Sequence, residues 1–202
     1  MAGKATRKPR IRAPEEFEPR PDTLPTFPFD ATDVPPARLT RFAYCAFGSN
    51  LNRLQMAFRC PRSEVLCAGV LHDFRLVFRN VADVEFSPGR STPVGLYRVT
   101  RQCAEALDRY EGFPRKYERR FVLVTTDAGP LWCFVYVMRE QHIDTPSPGY
   151  LATIRRGYQD FKLPLLTLRE AHEHALRVKY GSRAVDSYST PAPRIPRGVA
   201  RG

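Results

Sequence analysis

Three small residues, Gly48-Ser49-Asn50, follow the apolar run Tyr44-Cys45-Ala46-Phe47 and precede Leu51. Such a run reads as a buried strand that meets a loop just before a helix. The first N–H groups of a helix have no partner inside it and carry partial positive charge. A loop of Gly, Ser and Asn at that place can grip a carboxylate or phosphate through main-chain donors. The same residues equally suit an ordinary cap, with Ser or Asn bonding its own helix. G-x-x-x-x-G-K-[ST] and G-x-S-x-G are both absent, which excludes a P-loop and a nucleophile elbow.

The second chemical feature is Glu111 in "LDRYEGFPRKY", residues 107–117. Gly112 suits the left-handed residue that ends a helix, so Glu111 sits at a helix C-terminus. That end is already partly negative and raises the cost of a carboxylate. Desolvation by Tyr110 and Phe113 would push its pKa further up, toward a proton shuttle that works near neutral pH. A bland alternative stands beside this: an exposed glutamate, or one paired with Arg115, Lys116 or Arg119. Asp108 and Glu118 are rival carboxylates, the first on another helical face and the second opening a strand.

No metal site is expected. His172 and His174 in "AHEHA" lie two residues apart, which places them on different faces of a helix, and H-E-x-x-H is absent. The five cysteines, Cys45, Cys60, Cys67, Cys103 and Cys133, form no C-x-x-C pair and are odd in number. They read as buried, reduced thiols in a cytoplasmic protein.

These residues need elements to hold them. "RFAYCAF" reads as a strand buried on both faces. Leu51, Leu54 and Phe58 mark one stripe of a helix over 51–60. Residues 64–78 form one bent strand or two, with Gly69 as a bulge or bend. "SPGRST" is a loop and 93–99 a strand. Thr100 caps a helix over 101–111. Residues 118–126 and 130–138 form a hairpin around "DAG". Ser147 and Pro148 open a helix with Tyr150, Ile154, Tyr158 and Phe161 on one face. "TLRE" (167–170) reads as a capping box for a last helix that stops near Gly181.

Strands come first and helices close the chain, so the class is α+β. About six strands can close into a small β-barrel with helices outside. The domain spans 41–181. Residues 1–40 hold eight prolines and read as a basic, largely disordered arm, and 182–202 as a disordered basic tail. The formal charge is +11. Residues 1–40 carry seven cations against six anions, and no aromatic-interleaved RNA motif is present, so nucleic acid is not an expected partner. No run of 18 apolar residues predicts a membrane span.

Three stretches together resemble the gamma-glutamylcyclotransferase family. Its opening strand ends Y-x-A-Y-G-S-N-L, matched by Tyr44 to Leu51; its L-D-x-x-E-G is matched by Leu107 to Gly112; its P-S-P-x-Y by Pro146 to Tyr150. The resemblance covers about 41–165. It implies a small mixed barrel flanked by helices and an enzyme without cofactor. The substrate would be a small γ-glutamyl dipeptide or amine, cyclised to 5-oxoproline. It implies Glu111 as general acid and base, with Tyr44, Phe47, Gly48, Ser49, Asn50, Leu51, Tyr117 and Tyr150 holding substrate, in a monomer or homodimer. Phe47 departs from the family's tyrosine, which keeps open a member that binds a γ-glutamyl group without turning it over. Gly-Ser-Asn in place of Gly-Ser-Leu points away from glutathione.

Overall fold

The computed structural model describes residues 41–181; the disordered arm expected at 1–40 and the disordered tail expected at 182–202 lie outside the described residues. Five strands, β1 (Arg41–Ala46), β2 (Glu64–Arg79), β3 (Val81–Thr100), β4 (Tyr117–Thr126) and β5 (Gly129–Met138), close into a barrel in the order β1-β3-β2-β4-β5. All pairs are antiparallel except β1 with β5, which meet in parallel at Tyr44 and Phe134. Four helices lie outside: α1 (Arg53–Arg59), α2 (Arg101–Glu111), α3 (Pro148–Asp160) and α4 (Leu165–Tyr180). The α+β barrel with flanking helices is thus observed. Five strands suffice where about six were expected, because 64–79 is a single bent strand.

The bends of β2 are not at Gly69. They fall between Val65 and Cys67 and between His72 and Phe74, where Asp73 takes φ 60°. Gly69 instead lets β4 come close: a Cβ there would meet Val124 Cγ1 at 2.6 Å. "SPGRST" is not a free loop. It stays within β3 as an excursion opposite Asp73, whose Oδ1 accepts from Gly89 N–H at 2.8 Å. These two irregularities bend the long β2–β3 hairpin, so its tip reaches the end of the barrel beside Gly48.

Cys45, Leu96, Val99, Phe134 and Val135 fill the barrel and its walls, and Leu107, Ile154 and Tyr158 seal the helices onto it. Thr100 caps α2 through Cys103 N–H, and Ser147 caps α3 through Tyr150 N–H, as expected. Two expectations for the helices fail. The stripe of α1 does not pack: Leu54 is 79% and Phe58 89% exposed, while Met56 is buried. The capping box of α4 is not used, because the helix begins two residues before Thr167, after Pro164. All five cysteines are free; four are buried as expected, whereas Cys67 is exposed.

Candidate active site

β1 stops at Ala46, and Ser49–Leu51 form a single 3₁₀ turn rather than the start of α1. Leu51 N–H and Asn52 N–H close that turn on Gly48 O and Ser49 O at 3.0 and 3.1 Å. The helix itself starts at Arg53. Asn52 caps it by accepting from Leu54 and Gln55 N–H, and Arg53 N–H donates to Asp160. The first donors of α1 are therefore already taken, which corrects the expectation of a ligand held at its N-terminus. The side chain this loop sets against Glu111 is that of Asn50.

Asn50 is 4% exposed, and both atoms of its side-chain amide are hydrogen-bonded. Its Nδ2 donates to Tyr44 Oη at 2.7 Å and to Glu111 Oε1 at 3.1 Å. Its Oδ1 accepts from Arg59, which also donates to Ser49 Oγ at 3.1 Å and Gln55 Oε1 at 2.9 Å. The guanidinium fixes the amide orientation, because only oxygen can face it. Arg59 also stacks 3.9 Å above the Tyr110 ring and donates to its hydroxyl. The loop after β1 and the last turn of α2 are thereby tied together through α1.

Glu111 ends α2, before Gly112 at φ 71°. Burial pushes its carboxyl up to about 7, while the Arg59 charge and the Asn50 bond pull the other way. Desolvation is the leading cause. Neither Arg115, Lys116 nor Arg119 pairs with it. Arg119 binds Asp108 instead, and Asp108 also accepts from Tyr136 Oη at 2.6 Å. Glu118 is held by Arg120 and Arg139. Both rival carboxylates are committed to fixed cations.

A cavity of about 670 Å³ opens in front of Glu111. Tyr44, Phe47, Gly48, Ser49, Asn50, Glu111, Tyr117 and Tyr150 all line it. Leu51 does not: it is fully buried behind the turn, packed on Gly157 and Gly95. Tyr150 Oη receives Ala82 N–H at 3.1 Å and also faces the Ser49 amide. Burial pushes Tyr150 up to about 12 and raises Tyr44, Tyr117 and Tyr136 well above their ordinary value, so all four stay neutral hydroxyls. Sequence reasoning missed Arg59, Val81, Ala82, Tyr136 and the rim residues Arg115, Lys116, Met138, Arg139 and Glu140. Only Arg115 and Lys116 carried a signal, as neighbours of the Glu111 motif.

Such a cavity can take a small molecule with a carboxylate or amide end and move a proton through Glu111. Among the described residues no group of three His, Cys, Asp or Glu side chains could hold a metal ion. His172 packs edge-on against Phe78 rather than facing the cavity. No helix among the described residues is long and apolar enough to cross a membrane.

A family model described as gamma-glutamyl cyclotransferase, AIG2-like, matches residues 44–154. Human gamma-glutamylcyclotransferase is 30% identical over 138 residues, 61% of this chain and 73% of the human one. The mouse protein of that name is 29% identical over 137 residues, with the same shares. A solved structure of a gamma-glutamyl cyclotransferase superposes with a TM-score of 0.60 at 27% identity, covering 65% of this chain and 86% of the other.

Proposed function

Because the chain belongs to the AIG2-like gamma-glutamyl cyclotransferase family, we propose that it cyclises a γ-glutamyl dipeptide or γ-glutamyl amine. The products are 5-oxoproline and a free amino acid or amine. The α-amine nitrogen of the γ-glutamyl group attacks its own side-chain carbonyl carbon. A C–N bond forms, the carbonyl becomes a tetrahedral oxyanion, and the old amide C–N bond then breaks. The proton shed by the attacking nitrogen passes to Glu111 and from there to the departing nitrogen, so the enzyme ends as it began.

The observation that carries this reading is the carboxyl of Glu111. It faces a cavity of suitable size, is poised near pH 7, and rests 3.1 Å from an amide that Arg59 holds in place. A group with that pKa accepts and returns a proton with little cost at neutral pH. The reaction is intramolecular, so holding the γ-glutamyl chain curled supplies much of the rate; effective molarities on the order of 10⁵ M are open to such closures. The turn at Gly48–Asn50 and the hydroxyls of Tyr117 and Tyr150 supply donors for the substrate carboxylate and the developing oxyanion.

The test is release of 5-oxoproline from a panel of γ-glutamyl dipeptides and amines, with and without chelator. The expected result is turnover in both conditions and a Glu111→Gln variant that stays folded and inactive. Full activity in that variant would remove Glu111 from the mechanism. Phe47 on the cavity wall supports one second reading, a γ-glutamyl binder without turnover. It predicts a thermal shift with γ-glutamyl ligands and no product.

A further inference from the structure

The cavity has two walls that no strand pairing joins. One is the tip of the β2–β3 hairpin, with Val81 and Ala82; the other is the end of β5, with Met138, Arg139 and Glu140. β5 meets β1 in parallel at Phe134, and β1 ends two residues later at Ala46, so β5 runs on past its neighbour. Across the gap that remains, the Asp83 side chain reaches the end of β5. Asp83 Oδ1 accepts Met138 N–H at 3.0 Å, and Asp83 Oδ2 accepts Arg79 Nε–H at 3.0 Å.

Arg79 extends the same connection. It donates to Gln141 Oε1 at 2.8 Å and to the Gln141 carbonyl at 3.3 Å, in the segment just after the β5 wall. A further donor goes to Glu85 at 2.6 Å. Arg79 is 3% exposed and Asp83 fully buried. Their neighbours continue the tie: Asp144 N–H donates to Phe78 O at 2.9 Å, and Asn80 N–H to Asp144 O at 3.4 Å.

We infer that Arg79 and Asp83 are positioning residues that latch the hairpin tip to the end of β5, and so set the spacing of the two cavity walls and the place of Tyr150. Tyr150 enters because its hydroxyl is held by Ala82 N–H, one residue from Asp83. A buried ion pair is a poor source of stability, since well-packed apolar residues of similar volume often hold a fold as well or better. Burial pushes Asp83 up to about 6 even beside Arg79, so the charge is kept there against a cost. What the pair supplies that an apolar pair cannot is direction: Asp83 reaches across to Met138 N–H and Arg79 to Gln141, while their mutual bond and the Glu85 contact fix both side chains on the hairpin.

The consequence for substrate rests on the cyclotransferase reading; the latch itself does not. The experiment compares wild type, Asp83→Asn and the apolar double variant Arg79→Met/Asp83→Leu. Two readouts are taken: amide exchange at Ala82 and Met138 relative to Val124 and Val135, and kcat and KM for 5-oxoproline release. Both variants are expected to speed exchange at Ala82 and Met138 selectively. KM should rise about tenfold, with kcat within about threefold, because misplacing a binding wall by a fraction of an ångström weakens hold on the substrate without touching Glu111. A double variant as heat-stable as wild type, with wild-type exchange at both amides and wild-type KM, overturns the inference and leaves the pair a structural one. If the double variant does not fold, Asp83→Asn decides by the same two readouts. Absence of 5-oxoproline from wild type overturns the cyclotransferase reading instead, and amide exchange alone then decides the latch.

Discussion

Glu111 and Asn50 act as a unit. The Asn50 bond stabilises the charged carboxylate, and burial opposes it. Asn50→Leu removes that bond, so the Glu111 pKa should move further above 7. The acid limb of kcat/KM, which reports the free enzyme's base, should shift to higher pH in the same variant. An unmoved limb would mean that another group titrates. The same shift has a stability consequence. An ordinary glutamate loses its proton near 4.5 in the unfolded chain, whereas the folded one holds it to about 7. Between those values the native state binds more protons, so the Glu111 contribution to stability declines as pH rises and is lost above 7. Glu111→Gln keeps an acceptor for Asn50 and has no charge to bury. It should therefore be more stable than wild type at pH 8 by on the order of 2 kcal/mol, with the gap closing below pH 4.5. Thermal melts across pH 4 to 9 measure this. Both residues were legible because each sits in a motif whose chemistry is local. Arg59 was not, since its partners Ser49, Asn50 and Tyr110 come together only when three elements have folded.

At the scale of elements, periodicity located α2 and α3 well and misplaced the faces of α1. Leu51 and Leu54 fit one helical stripe on paper, but the 3₁₀ turn at Ser49–Leu51 breaks the period between them. Leu51 turns inward and Leu54 and Phe58 turn out. Changing Leu54 and Phe58 together to Ser should therefore alter stability by less than about 0.5 kcal/mol each, as for ordinary exposed positions. A loss of several kcal/mol in urea unfolding would restore the stripe to the core. The turn itself is held from behind by α3. A Cβ on Gly157 would collide with the Leu51 side chain and stand 2.6 Å from its carbonyl carbon and 2.7 Å from Asn52 N. Those are backbone atoms with no rotamer to yield. Gly157→Ala should cost about 1–3 kcal/mol and lower kcat/KM, because the displaced turn carries Asn50. The bent β2 was half legible: the strand could be read, but its bends depend on Asp73 and on the excursion of β3 opposite it, which no single segment contains.

For the molecule as a whole, the barrel closes within the described residues: β1 begins at Arg41, and the last helix ends at Tyr180. Among the described residues, those that line the cavity lie between Tyr44 and Tyr150. The family match covers nearly the same stretch, 44–154, and leaves α4 outside it. α4 nonetheless buries Leu168, Ala171, Ala175 and Leu176, so a boundary drawn at 154 or 165 would strip the β2 side of the barrel of its cover. We propose 41–181 as the physical unit, and that unit should retain the wild-type melting temperature within about 3 °C, since a change under 1 kcal/mol moves a domain of this size by no more. Its rate of 5-oxoproline release should stay within about threefold of the full chain. Charge gives the same division an independent check. The flanks hold +4 of the formal +11 (+1 in residues 1–40 and +3 in 183–202), and many arginines within the domain are paired with carboxylates. Binding to a polyanion column should therefore weaken on trimming and vanish at moderate salt, as for a diffuse basic surface rather than a built nucleic-acid site. A trimmed domain that folds yet has lost turnover would instead bring residues of the flanks into the cavity.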